Sequence, residues 1–344
     1  MASKQQPRAD TRPTIASVRP AAAIAGGELH IRGSHFAAHG RPAVKLGPQQ
    51  AHLVVAGDSY IIARVPESAV VGEVKVASGA IDSEFFEAHI GIQIADSLHP
   101  VSNPAVDAEG NTYSTFSGSR GQKSPVSIYK IDSNYNSKPF VTDLMNPTGL
   151  AFDREGILYA SSRYDGIVYQ ITPTGNVSAY VEGMGVATGI AFDPDENLYV
   201  GDRSGTIFKI SRSRQIYVFA TLEPSIAAYH LAFGPEGYLY VSGPTTSSFD
   251  SIYRVSTAGE VEVFYRGIGR PQGLAFDDQG RLYVAGSLGG RRGLIRYDQS
   301  GQPEHFLSGP GIVGLAFSRS RAVVVATQNA LFRVDVGIAG RPLP

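Results

Sequence analysis

The chain contains no cysteine among its 344 residues. Disulfides, thiolate metal sites and a cysteine nucleophile are therefore excluded. It has no run of eighteen apolar residues, so no segment reads as a membrane-spanning helix. It also lacks an excess of either charge: 30 Lys and Arg stand against 31 Asp and Glu. A near-neutral chain offers no global field for nucleic acid or an anionic membrane. The first residues carry Lys4, Arg8, Asp10 and Arg12, and the longest uncharged piece after them is "PAAAIAGG". That is too short and too weakly apolar for a signal peptide, so a cytoplasmic location is expected, with residues 1–11 disordered.

Motifs of several enzyme classes are missing as well. There is no phosphate loop, no dinucleotide fingerprint and no G-x-S-x-G nucleophile elbow. The nearest look-alike of the elbow, "GDRSG" at 201–205, follows a strand pattern without opening a helix, and "GGRRG" at 289–293 precedes no helix pattern.

What is abundant is turn-forming and β-friendly. The chain holds 39 Gly, 21 Pro, 17 Tyr and 16 Phe, the composition of an all-β protein of many short strands. Two grammars divide it. Residues 13–90 contain "ELHIRGSHF", "AVKLG", "HLVVAGDSYIIARVP", "GEVKVAS" and "EFFEAHI", alternating runs that suit an antiparallel sandwich. Beyond them one sentence recurs as "GLAFDREGILYASS", "GIAFDPDENLYVGD", "HLAFGPEGYLYVSG" and "GLAFDDQGRLYVAG". Its third residue falls at Ala105, Ala151, Ala191, Ala232, Ala275 and Ala316, spacings of 46, 40, 41, 43 and 41. A period in the forties with four strand signals per unit is the pattern of propeller blades. The sixth unit reaches only a third strand, "ALFRVDV", whereas "GIQIADS" precedes the first unit. A strand over residues 91–96 is therefore expected to complete the last blade and hide its edge.

The Asp-rich turn at 193–197 has no EF-hand spacing, and the other units use the same slot as a plain hairpin turn, so it reads as architecture.

The opening "PTIASVRPAAAIAGGELHIRGSHF" resembles an IPT/TIG domain, an immunoglobulin-like module, through Pro13, Ile15, Val18, Pro20, Gly26, Gly27, Leu29, Ile31, Gly33 and Phe36. The recurring P-x-G-[LI]-A-F-D-x-x-G-x-[LI]-Y-V sentence resembles NHL-repeat propellers and the gluconolactonase-like, senescence-marker family of six-bladed propellers. Together the resemblances imply an all-β fold in which an immunoglobulin-like sandwich is fused to a six-bladed β-propeller. The expected boundaries are 12–90 for the sandwich, 91–338 for the propeller and 339–344 for a tail.

The lactonase resemblance implies a divalent metal at the channel mouth, held by Glu, Asn and Asp side chains. The residues before the glycine of each repeat are here Ser102, Thr148, Thr188, Tyr229, Gln272 and Val313, none of them a carboxylate. Hard cations need oxygen ligands with charge among them, and Glu109 falls in a turn on the opposite face. No metal and no cofactor are expected.

The repeat departs most sharply from its own consensus in the fourth and fifth units, where His230 replaces glycine and "RPQG" supplies Arg270 and Gln272. The expected ligand site is the channel mouth, formed by Thr148, Thr188, Tyr229, His230, Arg270 and Gln272. Loop charges around it balance: Arg120, Lys123, Arg163, Arg203, Arg266, Arg270, Arg291 and Arg292 oppose Asp96, Asp143, Asp165, Glu182, Asp202, Glu223 and Asp250. Only the fifth unit concentrates positive charge. The expected function is a non-catalytic binding or scaffolding protein for a protein, glycan or small polar ligand. The alternative is a lactonase- or esterase-type hydrolase with a non-standard site.

Overall fold

A computed structural model describes residues 11–341. The disorder expected for residues 1–10 lies outside the described residues. Those described form strands and turns without any helix. The chain separates into two compact units, residues 1–91 and 92–344.

The first unit holds two antiparallel sheets. One orders Thr14–Arg19, Glu28–Ser34, Tyr60–Arg64 and His52–Ala56. The other orders Phe86–Glu87, Glu73–Ser78, Pro42–Leu46 and Gln49–Gln50, with Ile81–Asp82 beside Glu73–Ser78. Alternation along Glu28–Ser34 sends Leu29 and Ile31 inward, where both are fully buried with Phe36, Val44, Leu46, Ile61 and Val76. Gly33 makes room for this core: a Cβ there would lie 1.9 Å from the Thr14 carbonyl oxygen and 2.6 Å from the Phe36 ring.

The second unit is built from six antiparallel four-stranded sheets. The third shows the plan: Ala187–Phe192, Leu198–Asp202, Thr206–Ile210 and Ile216–Thr221. Its first two strands are buried along their whole length, and its outermost strand exposes Ile216, Tyr217 and Val218. Two devices explain why the sequence repeats. The first is the hairpin turn. The Asp193 carboxylate accepts the N–H groups of Asp195 and Asn197, the Asn197 amide and the Tyr199 hydroxyl. Asp107 and Asp277 do the same work in the first and fifth sheets.

The second device is an aromatic ladder between neighbouring sheets. Tyr113, Tyr159, Tyr199, Tyr240 and Tyr283 each meet edge-on one ring of the outermost strand of their own sheet and one Phe of the next sheet's first strand. Centroid separations of 4.9–5.4 Å are those of favourable T-shaped pairs. "F-D" and "L-Y" are thus the two halves of one inter-sheet joint.

The first strands of successive sheets touch in order, and that of the sixth sheet also touches that of the first, which closes a ring. At this junction the ladder becomes aliphatic: Val324 and Val106 occupy the Tyr and Phe slots and pack in a cluster with Ile94, Leu98, Val313 and Leu331. The sixth sheet takes its outer strand from Ile92–Ala95, antiparallel to Leu331–Asp335. Residues 339–341, expected as part of a tail, are instead tied down. The Asp278 N–H donates to the Ala339 carbonyl, Gly340 bridges Asp277, and Arg341 Nη1 donates to the Phe233 carbonyl at 2.9 Å. Backbone groups of the fourth and fifth sheets left open at that face supply the partners.

Candidate functional site

The ring's waist is set by the residue two places before each repeated alanine. Those residues are Asn103, Gly149, Gly189, His230, Gly273 and Gly314. Four must be glycine on grounds of space. A Cβ at Gly149, Gly189 or Gly314 would lie 2.4–2.5 Å from the carbonyl oxygen of Thr188, Tyr229 or Ser102, and one at Gly273 would lie 2.0 Å from Asn103 Oδ1. The strands approach too closely for a side chain. The two remaining slots, three sheets apart in either direction, fill the centre. Asn103 donates from Nδ2 to the Leu274 carbonyl at 2.9 Å and accepts the Leu315 N–H at 3.1 Å. His230 Nδ1 lies 3.2 Å from Ser102 Oγ in a buried hydrogen bond. Asn103 and His230 therefore plug the channel and tie the first sheet to the fourth, fifth and sixth. With its ring out of water, His230 has its pKa pushed down to about 4.

One step along the strands from this plug lies a cavity of about 520 Å³. Thr148, Thr188, Gln272 and Val313, each immediately before a waist glycine, line it together with His99, Arg163, Arg203, Ala227, Gln328 and Asn329. It is a closed-bottomed cup to which the second to sixth sheets all contribute. A second cleft of about 530 Å³ adjoins it, lined by Gly269, Arg270, Gly286, Ser287, Gly290 and Arg292 and sharing Gln272, Val313 and Gln328 with the cup.

The six residues expected at the mouth are thus placed at three levels. Thr148, Thr188 and Gln272 line the cup, and Arg270 lines the adjoining cleft. Tyr229 and His230 are buried away from both linings. The Tyr229 ring fits between Gly201 and Gly243, where added Cβ atoms would come within 2.9 and 2.8 Å of it, and its hydroxyl donates to the Glu223 carbonyl. Thr188 has a structural task too: its Oγ1 accepts the Tyr229 N–H at 3.1 Å and donates to the Gly201 carbonyl at 2.9 Å.

Arg163 and Arg203 bring charge to the cup. Arg163 Nη2 donates to the Gly118 carbonyl at 2.6 Å, whereas its Nε is buried and unbonded. Burial first, then the positive charges of Arg203 and Arg120, push the Arg163 pKa down. The balance seen when loop charges are counted does not survive folding. Asp202 is turned onto the Val186 N–H and Ser204, Asp165 bonds Tyr169, and Asp143 pairs with Lys123. Counting signs could not reveal this; Asp-x-Ser and Asp-x-x-x-Tyr spacings, which favour local carboxylate bonds, were the available signal.

No protein-family model matches the chain, and no curated protein matches it in sequence. Solved structures do match in fold. A gluconolactonase from Xanthomonas campestris is 15% identical, with a TM-score of 0.61 over 75% of this chain and 90% of that one. An auxiliary nutrient binding protein from Bacteroides thetaiotaomicron is 12% identical, with a TM-score of 0.55 over 94% and 98%. Virginiamycin B lyase from Staphylococcus aureus, solved as a catalytically inactive variant with quinupristin, is 13% identical, with a TM-score of 0.52 over 96% of each chain. At such identities the likeness shows the fold alone: all-β and propeller-like.

Proposed function

We propose that this chain is a non-catalytic binding protein: an IPT/TIG-type immunoglobulin-like unit followed by a six-bladed propeller that takes a polar ligand in its plugged mouth. The six four-stranded sheets and the strand supplied by Ile92–Ala95 support the blade count. Likeness over nearly the whole of a nutrient binding protein, both units included, supports a binding role.

The observation that carries the reading is the chemistry of the cup. Two guanidinium groups, hydroxyls and amides converge on it, and its lining among the described residues contains no carboxylate. Such a donor set opposes a divalent cation and does not fit the metal implied by the lactonase resemblance. The buried histidine is committed to Ser102 below the cup, so it is not a base poised toward a substrate. A second reading, a hydrolase or lyase of non-standard site, is favoured by one feature: the exposed His99 lines the same cup as Arg163.

A thermal-shift panel of neutral and charged sugars, amino acids and short peptides tests the proposal, run beside a lactone-hydrolysis panel. At least one compound should raise Tm in the wild type and not in Ala227→Trp, which fills the cup. Lactone turnover with a stoichiometric divalent ion in the purified protein would replace this reading with the second.

A further inference from the structure

The cup and the cleft beside it share Gln272, Val313 and Gln328, so they form one continuous trough across the ring's mouth. Its two ends have the same sign. Arg163 and Arg203, from the second and third sheets, stand at one end, and Arg270 and Arg292, at the fifth sheet, at the other. Neither lining contains an Asp or Glu among the described residues. None of these four arginines forms an ion pair among the described residues, whereas Lys123, Arg254, Arg281, Arg296 and Arg333 each do. Carboxylates of the surrounding loops are occupied elsewhere, Asp250 by the N–H and hydroxyl of Thr245 and Asp202 by Val186 and Ser204.

The cup-end arginine is also held in place. Asn146 donates from Nδ2 to the Gly118 and Ser119 carbonyls and accepts the Gly121 N–H at 2.7 Å. The carbonyl of Gly118, so fixed, anchors Arg163 Nη2 at 2.6 Å. A buried, unbonded Nε remains on the same guanidinium. An unpaired guanidinium fixed by a loop and crowded by two others is arranged for an anion, and its planar fork matches a carboxylate. Between the ends lie amides and hydroxyls, Gln272, Gln328, Thr148, Thr188 and Ser287, with no Phe, Tyr or Trp side chain in either lining. Amides and hydroxyls suit a hydroxyl-rich backbone better than peptide side chains, which need apolar pockets. Each part falls within the about 300–1,000 Å³ usual for small-ligand sites, and joined they reach its upper end.

We propose that the trough binds an acidic oligosaccharide lengthwise, one sugar carboxylate at Arg163 and Arg203 and another, at least one sugar unit away, at Arg270 and Arg292. This rests on the reading of the mouth as a ligand site and names the class of ligand.

Calorimetric titrations with galacturonate, trigalacturonate and neutral maltotriose test it, using wild type, Arg163→Ala, Arg163→Lys, the Arg270→Ala/Arg292→Ala double variant and Ala227→Trp. Trigalacturonate should bind at least about tenfold tighter than galacturonate, the gain of one further charge-assisted contact. Arg163→Ala should weaken both acids, Arg163→Lys by less, and the double variant should bring the trimer down to the monomer. Arg163→Lys keeps the charge beside the loop and serves if Arg163→Ala does not fold. Equal affinity for trimer and monomer, equal affinity for maltotriose, or no binding of the acids at millimolar concentration overturns the proposal. Maltotriose binding that Ala227→Trp abolishes would leave the mouth a ligand site while removing acidic sugars as its ligand. Binding indifferent to Ala227→Trp would remove both.

Discussion

Replacing His230 by alanine should destabilise the protein strongly at neutral pH and only weakly in mild acid. The imidazole is 2% exposed and its Nδ1 is hydrogen-bonded to Ser102, itself buried. Removing it leaves a cavity at the centre of the ring and an unpartnered hydroxyl, together costing roughly 2–4 kcal/mol. Protonation acts in the opposite direction. In the unfolded chain the ring titrates near 6.5, and in the folded protein burial holds it at about 4. As pH falls below 6.5 the unfolded state takes up a proton that the folded state refuses, so stability drops until the folded pKa is passed. Between about pH 7.5 and about pH 4.5 the loss from this one group is about 2.5 kcal/mol. His230→Ala has no such group. Urea unfolding at the two pH values should therefore show a gap between wild type and variant that nearly closes in acid, while other titrating groups shift both proteins alike. A gap of equal size at both pH values would refute the buried, neutral plug.

Four further outcomes follow from the fold. Deleting residues 1–98 removes Ile92–Ala95 from the sixth sheet and should lower Tm by about 10 °C relative to deleting residues 1–88, an edge loss worth about 3 kcal/mol; equal melting temperatures would contradict it. Asp193→Ala should cost roughly 2–4 kcal/mol in urea unfolding, because two N–H groups, an amide and a hydroxyl lose their acceptor, and calcium should leave the wild-type Tm unchanged. Gly189→Ala should cost about 3 kcal/mol or more, since its Cβ would meet the Tyr229 carbonyl oxygen at 2.4 Å. Tyr199→Leu should cost about 2–3 kcal/mol by removing two edge-on ring contacts and the bond to Asp193, as read by thermal melts.

Much of the ring was legible because its joints are local in sequence. The Asp at the turn and the Tyr six residues later serve one carboxylate, and the Phe just before the next turn packs on that Tyr. Such a motif must recur at every sheet, so it reads as a period. The fourth sheet shows how the motif bends: Gly234 replaces the Asp, and the Tyr240 hydroxyl donates to Glu236 instead. The site was less legible because its parts meet only across the ring. His230 stood out as a departure from glycine, but its partner Ser102 is 128 positions away. Asn103 went unnoticed because the first unit is degenerate, although counting two places back from Ala105 finds it in the glycine slot. Arg163 and Arg203 were hidden for a different reason. Charges were balanced as a count, whereas electrostatics depends on which carboxylates are already hydrogen-bonded and which guanidinium groups leave water.

The most direct measurement is a crystal structure of the full chain with the tightest-binding compound of the thermal-shift panel. The account expects density in the cup, against Arg163, Arg203 and Gln272 and above an intact His230–Asn103 plug. Density confined to the opposite face, near Arg154 and the Asp193 turn, or to residues 12–90, with the cup empty, would contradict it.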